Sequence, residues 1–425
     1  MSARLAAAEL IIAVLDHGRR LEDALDQTLS FTALEGRDRG FARALATASL
    51  RRLGGIDAVL THFLQRPLPD TAWHGRALLR IGVAQMLVLR TPAHAAVGET
   101  VATANALREA RGFAKLINAV LRRVSREGAE IFAALPAGAD LPGWLFTRWR
   151  ATYGEGADAI ARALLSEPPL DVSVKDDAAG WAEKLGGMVT PTASVRLSLP
   201  SRGGGLEQLP GFADGAWWVQ DSAAALPAHL LGDVRGKNVL DLCAAPGGKS
   251  LQLAAAGARV TAVDKSMERL ARLRENLART KLSAEIVCAD ALEFRADQPF
   301  DAVLLDAPCT STGTLRRHPD VAWLRRPNDV RALAALQMQL IAAAASLLKP
   351  GGELVYVACS LEPEEGPSVV AHALQQGWRR APLARGEIPG GDEFITPDGD
   401  LRTLPSHWPA IGGLDGFYAA RVVLG

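Results

Sequence analysis

At 425 residues the chain is too long for one ordinary domain, and its 48% apolar and 22% charged content describe a globular protein with ample core material. Lys plus Arg and Asp plus Glu both number 47, so no overall positive field argues for a polyanionic partner. The balance is uneven, however: residues 1–130 hold 18 Lys/Arg, nearly all Arg, against 13 Asp/Glu, which permits phosphate contacts there without demonstrating them. Four widely spaced cysteines, 243, 288, 309 and 359, form no C-x-x-C pair, which gives neither a zinc nor a disulfide framework and suits a reducing cytosol. No metal site is expected.

In chain order, residues 5–15 are Ala/Leu/Ile-rich, but Glu9 interrupts them and the apolar period runs past Asp16, so they read as a helix rather than a signal peptide. Leu78–Leu89 is too short and too charged at its edges to span a bilayer. Apolar residues recur at three- and four-residue steps through 1–130, for example Leu45, Leu50, Leu53, Ile56, Val59, Leu60 and Phe63. Punctuation by Gly36, Gly54-Gly55, Pro67, Pro92 and Gly112 then predicts an all-α domain of five to seven helices. Each Arg on it is read first as part of a solvated helix face.

Gly128, Pro136, Gly138, Pro142 and Gly143 mark a boundary, after which a helix opens with Trp144 and Trp149 as packing residues. Residues 140–235 are read as a small α+β linking domain. Its short β-like runs (171–175, 193–199, 216–219) alternate with turns such as Gly203-Gly204-Gly205.

From 236 to 425 the pattern is βαβα, which predicts a doubly wound α/β, Rossmann-like sheet. Val239-Leu240-Asp241-Leu242 is a buried strand that stops at Cys243-Ala244-Ala245-Pro246-Gly247-Gly248, and a helix starts at Lys249. Strand, glycine turn and helix present backbone N–H groups to a nucleotide-like ligand. The spacing is neither G-x-G-x-x-G nor a P-loop, so a dehydrogenase or a pyrophosphate ligand is disfavoured. Strands are predicted at 259–264, 284–288, 300–305, 351–359 and 417–424, the last entering antiparallel, with helices at 267–280 and 329–348.

Asp264, 23 residues after Asp241, ends the second strand, where a carboxylate accepts ribose hydroxyls. Asp290 follows the third strand, and Asp306 ends the fourth. Several strand-end carboxylates beside a glycine turn point to adenosine with a small cationic tail, S-adenosyl-L-methionine. Cys309 directly follows Asp306-Ala307-Pro308, and Cys359 ends the next strand, so both thiols face one crevice. Cys288 reads as an inert core residue, and Cys243 stands open between core and site. An amino-methyltransferase would want Asn/Asp-Pro-Pro-aromatic where this chain has Asp-Ala-Pro-Cys.

Two resemblances attach to these residues. Asp38–Phe41, Leu79–Leu87, His94–Val101 and Asn118–Arg123 resemble the NusB-like RNA-binding domain. Cys243–Lys249, Asp306–Cys309, Arg316–Trp323, Cys359–Glu365 and Leu414–Ala420 resemble RNA 5-methylcytosine methyltransferases of the Nol1/Nop2/Sun family. Together they imply a class I methyltransferase domain over 236–425 behind a NusB-like domain over 1–130. The implied reaction is methylation of carbon 5 of a cytosine in small-subunit (16S) rRNA, with tRNA, large-subunit rRNA or a catalytically dead RNA-binding assembly factor as alternatives.

The resemblance further implies Cys359 as nucleophile, Cys309 in release, Asp306 on the base and on the cofactor, and Lys249 beside it. The cofactor set becomes Cys243, Ala244, Ala245, Pro246, Gly247, Gly248, Lys249, Asp264, Arg269, Asp290 and Asp306. RNA is the expected partner. No membrane and no obligate protein partner are expected, and a cytoplasmic monomer follows. Two departures stand out: Ala358-Cys359-Ser360 replaces the family's Thr-Cys-Ser, and Thr310-Ser311 replaces its Ser-Gly.

Overall fold

The computed structural model describes residues 2–197, 205–388 and 390–424, so Gly203 and Gly204 of the predicted glycine turn lie outside the described residues. The chain divides into two compact units, residues 1–167 with 315–326, and residues 168–314 with 327–425.

The first unit is helical. Through residue 133 the described residues form eight α-helices rather than five to seven, because the stretch before Gly36 folds as two short pieces, Leu21–Gln27 and Leu29–Thr32, after Ala3–Leu15. The longer helices Gly36–Arg51, Leu53–Phe63, Trp73–Leu87, Ala93–Ala106 and Ala114–Ala133 enclose a core that includes Leu10, Leu45, Ile56, Leu78 and Leu121. Gly54 and Gly55 do not break the chain as predicted; both lie inside Leu53–Phe63. A Cβ on Gly54 would stand 2.1 Å from the Ala139 carbonyl oxygen, so the pair is there for close backbone approach.

Several arginines of this unit are structural rather than free. Arg80 grips Asp57 through two 2.8 Å hydrogen bonds, Arg52 lies 3.0 Å from Asp140, and Arg4 donates to the fully buried Gln85 at 2.8 Å. The helices Gly143–Tyr153, with Trp149 buried, and Gly156–Ala163 belong here too. So does the Arg316–Trp323 motif. Asp320 accepts from the Leu21 N–H at 3.0 Å, Trp323 Nε1 donates to the Leu50 carbonyl at 3.0 Å, and Arg316 is 1% exposed.

The second unit holds two sheets. The smaller is antiparallel in the order β2-β3-β1-β4, from β1 (Leu170–Val174), β2 (Met188–Val189), β3 (Val195–Leu197) and β4 (Trp217–Val219). The helix Ala178–Leu185 contributes Ala182 to its core with Val172, Val195 and Trp217. Buried Asp171 and Arg196 form a two-pronged pair at 2.7 Å, and Arg196 also donates to the Ile411 and Gly413 carbonyls, which fastens this sheet to the rest of the unit.

The larger sheet contains β5 (Asn238–Leu242), β6 (Arg259–Asp264), β7 (Glu285–Cys288), β8 (Phe300–Asp306), β9 (Leu348–Ala358), β10 (Trp378–Arg380), β11 (Leu401–Arg402) and β12 (Tyr418–Leu424). Its order is β10-β12-β9-β8-β5-β6-β7, with β11 on β12. Strands β5 to β9 are parallel, and β12 runs antiparallel between β9 and β10, as the sequence predicts. Alternate residues serve opposite faces. Val303 and Leu305 share a core with Leu340 and Ile341 of the helix Pro327–Ala345, while Ala302 and Leu304 pack with Leu226 of the helix Ser222–His229. Burial on both faces explains why these strands read as continuous apolar runs. The sheet's order reverses at β5, and the crevice beyond the carboxyl ends of β5 and β8 is where such a fold binds ligands.

Candidate active site

The turn after β5 begins at Cys243, whose φ of 61° is left-handed, and ends at Gly247 with φ of 105°. Gly247 is required twice over: by that backbone, and because a Cβ there would lie 2.1 Å from Leu273 Cδ1. The helix Gly248–Ala255 follows, and its Ser250 hydroxyl donates to Asp241 at 2.5 Å. Full burial raises the Asp241 carboxyl to about 7, helped by Asp306 and Asp264 and opposed by Ser250 and Lys249. Burial also pushes the Cys243 thiol to about 12, with Asp264, Asp306 and Asp241 adding to it. Cys243 is therefore a protonated wall of the turn and not a nucleophile.

Asp264 closes β6, buried, with its carboxylate accepting from the Ala245 N–H at 3.2 Å and the Ser266 N–H at 2.9 Å. Arg269 lies 3.4 Å from Asp264 and donates to the Ala245 carbonyl, so it braces the turn Ala244-Ala245-Pro246 from outside. Asp290 sits exposed beyond β7, where its Oδ1 accepts from the Leu292 N–H at 2.9 Å. Cys288 departs from expectation. It ends the sheet's edge strand, with its thiol 3.7 Å from the Lys265 carbonyl oxygen, and is exposed rather than a core residue.

At the end of β8, Asp306 receives Lys249 Nζ at 2.7 Å. Lys249 is 8% exposed at its side chain, and its ammonium lies 5.2 Å from the centroid of the Phe417 ring. Burial works against its charge, but Asp306 and Asp241 outweigh burial and raise its pKa. Cys309 and Cys359, from the turns after β8 and β9, bring their Sγ atoms to 3.1 Å, both as free thiols. Either sulfur can donate in this contact; it lowers the Cys359 pKa against the opposing pull of burial and Asp306 and raises Cys309 well above an ordinary thiol, the pattern of Cys309 donating to Cys359. The resulting constellation is one thiol prepared to ionise, a second holding its proton, and a carboxylate–ammonium pair alongside.

Of the two departures, Thr310-Ser311 has a clear local setting. Ser311 takes φ of 60°, a conformation that favours glycine, which is the residue the family places there. Thr310 turns its hydroxyl toward Glu365 and Ser360 beneath the thiols. Two contributors escape sequence reasoning. Phe417 is an ordinary strand-edge aromatic in the sequence, and Glu365 has no signal beyond its place in Cys359–Glu365.

The methyltransferase unit matches the model of the family described as 16S rRNA methyltransferase RsmB/F over residues 228–423, and residues 1–126 match that of the NusB family. Over 447 residues the chain is 37% identical to ribosomal RNA small subunit methyltransferase B of Pseudomonas putida, covering 100% of this chain and 98% of the relative. It is 40% identical to the protein of that name from Xanthomonas campestris over 395 residues, 88% of each chain. Among solved structures, a methyltransferase homolog protein from Pyrococcus horikoshii is similar with 28% identity and a TM-score of 0.56, covering 66% of this chain and 95% of that one.

Proposed function

The chain belongs to the RsmB/F family of 16S rRNA methyltransferases, and from that premise we propose that it methylates carbon 5 of one cytosine in small-subunit rRNA through a covalent Cys359–cytosine adduct. The observation that carries this reading is the thiol pair, 3.1 Å apart at the ends of adjacent strands and beside Asp306 and Lys249. A single thiol would serve many chemistries; two in contact suit one that must both form and break a bond to a pyrimidine.

The residues present fit the methyl donor of such an enzyme. S-adenosylmethionine supplies, when bound, a methyl group on a cationic sulfonium. Gly247 and Gly248 keep side chains away from the turn, Asp264 retains acceptor capacity for a ribose diol, and Asp290 stands in reach of solvent beyond β7. Asp241, Asp264 and Asp306 surround the turn with acidic groups, a setting that favours a cation. Arg269 holds Asp264 and the turn, and its half-exposed guanidinium stands where it can also reach the cofactor.

Carbon 5 of cytosine is a poor nucleophile. Attack of the Cys359 thiolate on carbon 6 converts the ring to an enamine, whose carbon 5 accepts a methyl group. Asp306 hydrogen-bonds the edge of the base that carries nitrogen 3 and the amino group, and Lys249 fixes that carboxylate. Once Cys359 is bonded to carbon 6 it no longer accepts the hydrogen bond that raises the Cys309 pKa, so Cys309 loses its own proton to solvent and takes the carbon-5 proton in its place. The carbon–sulfur bond to Cys359 breaks as the ring regains its aromaticity. The NusB-like unit supplies RNA contact, and a cytoplasmic site of action follows from the substrate.

Bisulfite sequencing of small-subunit rRNA from cells with and without the gene tests the substrate. One cytosine is expected to lose its mark in the deletion strain and to regain it with the wild-type protein but not with Cys359→Ala. A loss confined to tRNA or large-subunit rRNA would overturn the substrate, and no loss anywhere would overturn the activity.

A further inference from the structure

Beneath the two thiols lies a carboxylate that the reaction itself does not use. Glu365 is fully buried, and four donors converge on it. Its Oε1 accepts from the Thr310 N–H at 2.8 Å and from Gln337 Nε2 at 3.0 Å. Its Oε2 accepts from the Ser360 hydroxyl at 2.6 Å and from the Thr310 hydroxyl. Thr310 is the residue after Cys309, and Ser360 is the residue after Cys359, so one carboxylate holds both thiol-bearing turns. Gln337 also donates to the Pro308 carbonyl at 2.9 Å. The Tyr356 hydroxyl, at hydrogen-bond distance from both, links Gln337 Oε1 (3.0 Å) and the Glu365 carbonyl (2.6 Å). The Thr310 and Ser360 hydroxyls also meet each other at 3.1 Å, and Thr312 accepts from the Leu361 N–H at 3.0 Å. The carboxylate thus sits at the centre of a buried network, and such a network is rigid when its members are satisfied.

We propose that Glu365 is a positioning residue that sets the separation of Cys309 and Cys359, and through it the ability of Cys309 to serve the adduct formed by Cys359. The inference rests on the two-thiol reading of the site. Glu365 touches neither thiol; it acts through the residues that follow them. Gln is nearly isosteric but neutral, and its N–H₂ group can face the Ser360 and Thr310 hydroxyls only if both reverse from donor to acceptor, so Glu365→Gln replaces four charge-assisted bonds by weaker ones and reorders the hydroxyls that join the turns. Ser360→Ala removes one of the four bonds to Glu365, together with the hydroxyl's contacts to Thr310, Thr312 and the Glu362 N–H, and leaves both Thr310 bonds to the carboxylate in place.

The test uses the full-length protein and a trivalent phenylarsine oxide, which binds two neighbouring thiols with loss of one water and therefore reports their separation directly. Glu365→Gln is expected to weaken arsenical binding by about tenfold or more, because the effective concentration of one thiol at the other falls. It is also expected to lower kcat by about 10- to 100-fold with KM for RNA and for S-adenosylmethionine little changed, as for a displaced reacting group. Ser360→Ala should move both quantities in the same direction by less, and Cys309→Ala should abolish the tight arsenical site outright. If Glu365→Gln does not fold, Ser360→Ala alone decides. Wild-type arsenical affinity in the folded variants, whatever their melting temperature, overturns the proposal, as does an unchanged kcat. Should the wild-type protein form no 5-methylcytosine, the function fails separately, and the arsenical measurement still judges the role of Glu365.

Discussion

The hydrogen bond between Cys309 and Cys359 makes two chemically equal thiols unequal. It lowers the Cys359 pKa and raises that of Cys309, and Lys249 lowers Cys359 further. Iodoacetamide should therefore modify Cys359 before Cys309, with a pH midpoint below that of an ordinary thiol. Removing the donor in Cys309→Ala should move that midpoint up, and Lys249→Met should move it up by less; a midpoint unmoved in Cys309→Ala would contradict the assignment of donor and acceptor. The sequence placed both cysteines at strand ends, since a strand's length and the Pro-bearing turn after it are local features. Their 3.1 Å contact is not local, and neither is Asp241's raised carboxyl, which follows from burial among residues contributed by three strands. Cys288 was misread for the same reason: burial depends on whether a strand lies inside a sheet or at its edge, which no stretch of four residues reveals.

At the level of elements, two glycines in helices show how unlike roles look alike in sequence. Gly40, inside Gly36–Arg51, has open space around its absent Cβ, whereas a Cβ at Gly54 would meet the Ala139 carbonyl at 2.1 Å. Gly40→Ala should stabilise the protein by about 0.5–1 kcal/mol by relieving the entropy cost of glycine in a helix. Gly54→Ala should destabilise it by about 1–3 kcal/mol through overpacking. Chemical denaturation of the two variants checks the pair, and equal midpoints would refute the packing argument. The periodicity that places helices and strands survives folding almost unchanged, as at Met267–Thr280. What it lacks is the reason for each break, so Gly54-Gly55 looked like punctuation, and two short helices before Gly36 carried too few periodic residues to be separated.

For the molecule as a whole, distant segments supply what no motif contains. The small sheet is fastened to its unit by Arg196 and Asp171, whose side chains are 3% and 0% exposed, and by the Ser222 hydroxyl on Asp171. Arg196→Met should cost about 3–5 kcal/mol because it strands the Asp171 charge in the interior, and an unfolding midpoint equal to wild type would show that water reaches the pair. The doubly wound order was legible because alternation of strand and helix admits few topologies, whereas the assignment of Arg316–Trp323 to the helical unit was not, since that stretch lies far along the chain from its partners. The central claim is that Cys359 bonds to the base and Cys309 allows it to leave. It is tested most directly by incubating Cys309→Ala and Cys359→Ala with small-subunit rRNA and S-adenosylmethionine and resolving the mixtures on a denaturing gel. Cys309→Ala should accumulate a protein–RNA adduct that survives denaturation, and Cys359→Ala should form none. An adduct in both variants, or one only in Cys359→Ala, would contradict the account.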